Sequence, residues 1–151
     1  MDNKFAKEIV SKNKLRYTPS KKRLTIAVDF DGVCVYDGFP FGHDVPGAER
    51  YLKELAKHHN LVLWTRRSHM KHVDDFNPEG VDTLQIAEDW FSCRGIPLFA
   101  VNEVESDKEW STSPKLMYDY LIDDRAVGVP LLYPECVDWG RLWNDYLKFL
   151  V

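Results

Sequence analysis

Four short apolar runs, each closed by a polar residue, set the limits on what this chain can fold into. They are "RLTIAV" before Asp29, "LVLWT" ending at Thr65, "IPLFAV" before Asn102 and "YLI" before Asp123. Each is short and rich in Val, Ile and Leu, the pattern of strands buried on both faces. Helical periods fill the gaps. "PGAERYLKELAKHHN" reads as a helix with Pro46 near its start and Asn60 at its stop, and from Val81 to Gly95 the apolar Leu84, Ile86, Ala87, Trp90 and Phe91 recur near helical spacing. "RRSHMKHVDDFNPEG" keeps no period and contains Pro78 and Gly80, so it reads as loop. "VGVPLLY" reads as an edge strand that tolerates Pro130. Asp138 is placed to cap a last helix, "WGRLWNDYLKFL", with Leu142, Tyr146, Leu147 and Leu150 as its apolar stripe.

Strands alternating with helices predict an α/β fold, a three-layer Rossmann-like sandwich with a mostly parallel central sheet. The 151 residues, 44% hydrophobic and 29% charged, suit one core and one domain. Cys34, Cys93 and Cys136 have neither disulfide-framework nor zinc-site spacing and read as reduced thiols of a cytoplasmic protein. No apolar run approaches the roughly 20 residues of a membrane span, and the basic start lacks a signal-peptide core, so no membrane partner is expected.

The net charge of −4 is unevenly spread: residues 1–23 hold eight basic side chains against Asp2 and Glu8, a net of +6, so the rest carries −10. Two readings of this arm stay open. Phe5, Ile9 and Val10 at helical spacing suit a short helix docked on the core, while the charge suits nucleic acid or an acidic partner. The domain proper is expected over 24–151.

In an open parallel sheet, ligands bind beyond the carboxyl ends of the strands. Asp29 and Asp31 follow the first strand, Thr65 ends the second, and Asp123 and Asp124 follow the fourth. Carboxylates crowded on one rim repel, so the cluster needs a cation or a shared proton. Oxygen ligands of this kind suit a hard ion, with Mg²⁺ the first expectation. A carboxylate beside a metal can attack phosphorus, and a second carboxylate can carry the protons.

Here a resemblance becomes specific. "TIAVDFDGV" resembles the first motif of the haloacid dehalogenase superfamily, an apolar strand ending in DxD and Gly; "LVLWT" is similar to the second, and "SPKLMYDYLIDDR" to the third and fourth. The order matches, from about Leu24 to the last helix. The resemblance implies a Mg²⁺-dependent phosphatase in which Asp29 is the nucleophile, forming an aspartyl phosphate, and Asp31 is the general acid and base. It implies that Thr65 holds a phosphoryl oxygen and that Lys115 offsets charge. The metal would be held by Asp29, the backbone carbonyl of Asp31 and Asp124, with Asp123 acting through water.

Only about 30 residues separate Asp31 from the second strand, and a helix uses half of them, which leaves no true cap domain. The remaining lid is "VCVYDGFPFGHD", whose Tyr36, Phe39, Phe41 and His43 are placed to stack on a base or sugar. Arg66 and Arg67 follow Thr65 directly, where a second phosphate or carboxylate of a substrate would be held. His43, His69 and His72 have no trusted ligand spacing. The expected substrate is a small phosphorylated metabolite, with a nucleotide first. A phosphorylated protein or nucleic-acid end, or a non-catalytic phosphate-binding module, is the alternative.

Overall fold

The computed structural model describes residues 23–132 and 135–151. Of the basic arm only Arg23 falls among them, so the expectations for 1–22 lie outside the described residues. In chain order the elements are β1 (Thr25–Val28), β2 (Val35–Tyr36), β3 (His43–Asp44), α1 (Ala48–His58), β4 (Asn60–Leu63), α2 (Thr83–Cys93), β5 (Ala100–Val101), a 3₁₀ turn at Glu105–Glu109, β6 (Tyr120–Ile122), β7 (Leu131–Leu132), β8 (Cys136–Val137), α3 (Trp139–Asp145) and a second 3₁₀ turn at Leu147–Leu150.

The fold is mixed α/β around a four-stranded sheet in the order β5-β4-β1-β6, with every neighbouring pair parallel. The two central strands are the most buried. Ile26 pairs with Leu61 and Val28 with Leu63, so these four side chains share one face. Against that face pack Leu52 and Leu55 of α1, Ala87 and Phe91 of α2, and Trp139 and Leu142 of α3. Each buried Leu, Val or Phe contributes roughly 1.5–3 kcal/mol of transfer free energy, so this cluster dominates the stability.

The opposite face is covered more thinly. Ala27 and Val62 meet the buried Leu116 and the half-buried Trp64, Val104, Tyr118 and Leu121. Among the described residues, all three helices feed the first cluster and none feeds the second. No helix among them is long and apolar enough to cross a membrane.

Several local expectations are corrected. Asn60 opens β4 instead of stopping the helix, because His58 ends α1 and the Arg23 guanidinium takes the carbonyls of Ala56 (2.8 Å), Lys57 (3.1 Å) and His59 (2.7 Å). "VGVPLLY" is not an edge of the main sheet: β7 pairs antiparallel with β8 in a separate ribbon. The last helix is capped by Asp138, as its position predicts, but breaks at Tyr146, whose φ of −136° is not helical. The tighter turn that follows buries Leu147 and leaves Tyr146 59% exposed, outside the stripe assigned to it. The lid is not an irregular loop, since β2 and β3 pair as a hairpin with its tip at residues 37–42.

Candidate active site

β1 and β6 are parallel neighbours with Val28 opposite Ile122, so the residues that follow them leave from one edge. The Asp29 amide donates to the Ile122 carbonyl (2.9 Å), which carries the pairing one residue further and fixes Asp29 beside Asp123. Asp29, Asp123 and Asp124 each bring a carboxylate oxygen within 4.8 Å of the other two. Gly32 allows this close packing. It has a φ of +76°, and a Cβ there would lie 2.5 Å from Asp124 Cγ.

The electrostatics follow from that crowding. Burial pushes the Asp29 carboxyl up from 3.8 to about 7, and the charges of Asp123, Asp31 and Asp124 push the same way, against one hydrogen bond from the Phe30 amide. Burial and Asp123 also raise Asp124, with Arg125 opposing. No Lys or Arg forms an ion pair with Asp29, Asp123 or Asp124 among the described residues. Three half-buried oxygen donors without a paired cation fit a hard divalent ion, and Mg²⁺ fits the donor set.

Asp31 stands outside the triad. Both its oxygens accept from Arg67, Nε to Oδ2 at 2.9 Å and Nη2 to Oδ1 at 2.7 Å. The expectation that Arg67 holds a substrate group is corrected by this pair: the Arg67 side chain is 2% exposed and committed within the fold. Arg66 is exposed at the same edge. Thr65 follows β4 on the other side of β1, its amide donating to Asn102 Oδ1 (2.8 Å) and its Oγ1 accepting from the Arg67 amide (3.2 Å). Among the described residues, none accepts a hydrogen bond from the Thr65 hydroxyl.

Lys115 is not joined to the cluster. It stands exposed on the coil before β6, in no helix, and makes no ion pair with the acids. On the hairpin, Tyr36 packs half-buried beside His43, with ring centroids 6.0 Å apart, while Phe41 at the tip is 59% exposed. The lid residues therefore divide, with Phe41 free to meet a ligand and Tyr36 largely spent on packing.

One contributor and one burial were not legible in the sequence. Asn102, at a φ of +56°, turns back to hold the Thr65 amide. An Asn directly after a strand was its available signal. Arg67 was singled out, but its burial was not, because a charged residue after a strand reads as solvated.

No protein-family model matches the chain. No curated protein matches it either. A solved structure of a conserved protein from Bacteroides thetaiotaomicron is similar, at 32% identity, covering 85% of this chain and 93% of that one with a TM-score of 0.64. At that identity and coverage, this chain belongs to the same family as the conserved Bacteroides thetaiotaomicron protein.

Proposed function

We propose that this chain is a Mg²⁺-dependent phosphomonoester hydrolase of the haloacid dehalogenase type, a cytoplasmic, Rossmann-like α/β domain without a true cap. Its substrate is a small phosphorylated metabolite, a nucleotide first. The observation that carries the reading is the meeting of Asp29, Asp123 and Asp124 at the carboxyl edge of two adjacent parallel strands. Thr65 at the end of β4 adds a hydroxyl on the other side of β1.

The three carboxylates and the Asp31 carbonyl would hold the ion, which when bound supplies positive charge against the carboxylates and a phosphate oxygen. The Asp29 carboxylate attacks phosphorus, and an O–P bond forms as the bond to the ester oxygen breaks. Protonated Asp31 gives its proton to the departing oxygen. In the second half, Asp31 takes a proton from water while the water oxygen bonds to phosphorus and the Asp29–phosphorus bond breaks. Inorganic phosphate leaves with both aspartates restored, and the Thr65 hydroxyl donates to a phosphoryl oxygen throughout. Lys115 has no part in this account.

The second reading, a phosphate-binding module without turnover, is favoured by the lack of an ion pair between Lys115 and the acids and by the tie between Asp31 and Arg67. Hydrolysis of p-nitrophenyl phosphate with Mg²⁺ separates the two, followed by a screen of phosphorylated metabolites, phosphopeptides and nucleic-acid ends. The wild type is expected to release phosphate and Asp29→Asn to lose at least about 100-fold in rate. Equal rates would end the covalent mechanism. No release from either protein would leave the binding module.

A further inference from the structure

The guanidinium of Arg67 is the most completely engaged polar group near the site. Nε and Nη2 hold the two oxygens of Asp31, while Nη1 donates to the Pro40 carbonyl at the hairpin tip (2.6 Å) and to the Thr83 carbonyl at the start of α2 (3.3 Å). Its Cζ lies over two rings, 4.6 Å from the Phe30 centroid and 5.0 Å from that of Phe39. Yet the carboxylate it holds is 49% exposed, looking out at the rim. Burying an arginine to pair with a carboxylate is a poor route to stability, since apolar residues of similar volume serve as well or better. What the pair does supply is orientation. Asp31 lies on the turn made by Gly32, free to rotate about two side-chain torsions unless something holds it, and a misplacement of about 1 Å in a proton carrier costs on the order of 100-fold in rate.

We propose that Arg67 is a positioning residue for Asp31, aiming the proton carrier at the leaving group while the same guanidinium seats the hairpin tip over the rim. This builds on the reading of Asp31 as general acid and base. A bidentate grip requires the planar fork, so Arg67→Lys keeps the charge and loses the aim.

The test is the dependence of kcat/KM, which covers the steps up to departure of the leaving group and leaves out the later attack of water, on leaving-group basicity, measured with Mg²⁺ on phosphate monoesters from p-nitrophenyl to alkyl. p-Nitrophenolate leaves without a proton, so Arg67→Lys is expected to stay within about 3-fold of wild type on that ester and to fall roughly 100-fold on an alkyl ester. An equal loss on every ester, the mark of a merely structural role, overturns the proposal. In an Asp31→Asn background, Arg67→Lys is expected to steepen the plot no further, and added steepening overturns the claim that it acts through Asp31. Phe39→Leu, which removes one ring and leaves every hydrogen bond, covers the case in which Arg67→Lys does not fold. It should steepen the same plot by less, and an unchanged plot counts against the proposal. Failure of the underlying reading looks different, because wild type would then release no phosphate, or Asp29→Asn would match it, and the proposal falls with it.

Discussion

At Gly32, one added carbon meets both the backbone and the site. The left-handed φ of +76° costs a non-glycine residue roughly 1–2 kcal/mol, and the new Cβ would press into the Asp124 carboxylate. Gly32→Ala is therefore expected to lower the unfolding temperature and to weaken divalent-ion binding by at least about 10-fold, as read by isothermal titration. A normal affinity in a destabilised protein would separate the backbone from the acids. At this scale the sequence was most legible where a residue's place follows directly from a strand end, as at Asp29, Thr65 and Asp123. It was least legible at Arg67, because nothing local in "WTRRSH" distinguishes the exposed Arg66 from the buried Arg67, whose carboxylate partner lies 36 positions away.

Among elements, the hairpin of β2 and β3 is held at its base by Asp44. Its Oδ1 accepts from Trp90 Nε1 (2.8 Å) and its Oδ2 from Arg94 Nη2 (2.6 Å), tying β3 to the last turn of α2. Partial burial pushes the Asp44 carboxyl up, but the hydrogen bonds from Trp90 and Arg94 outweigh it and hold the carboxyl below its ordinary 3.8. As the pH falls the unfolded chain therefore takes up this proton first, so the stabilisation is complete above 3.8 and is lost below it. Asp44→Ala is expected to cost on the order of 1–2 kcal/mol at pH 7, because the buried indole N–H loses its acceptor. Chemical denaturation should show the gap to wild type closing in acid. The strands and the first two helices could be read from periodicity because each buries a continuous apolar face. The hairpin could not, since Val35–Tyr36 and His43–Asp44 are too short to show a period and are held by side chains from elsewhere.

For the whole molecule, the acidic rim sets a conflict between folding and function. Asp29 is raised from 3.8 to about 7, so between those values the folded state holds the extra proton and stability falls as the pH rises. After discounting for solvent screening, its ionisation costs on the order of 1–2 kcal/mol. In chelator at pH 8, Asp29→Asn is expected to melt above the wild type. Added Mg²⁺ should reverse that order by raising the wild type alone, with a smaller gain at pH 5.5 where the acids hold protons. Thermal scans with and without the ion give the answer, and no response at pH 8 would argue against a metal at the rim. The opposite edge of the sheet is quieter. There the imidazole of His59 accepts from the Leu24 amide at Nδ1 (3.3 Å) and pairs its Nε2 with the Leu150 carbonyl (2.6 Å), so the strand that starts the domain and the turn that finishes it are pinned to one ring. Leu24 and Leu150 therefore lie beside one another and a full strand length away from the acids, so a crosslink or label placed at either of them leaves the rim turned toward the open solution.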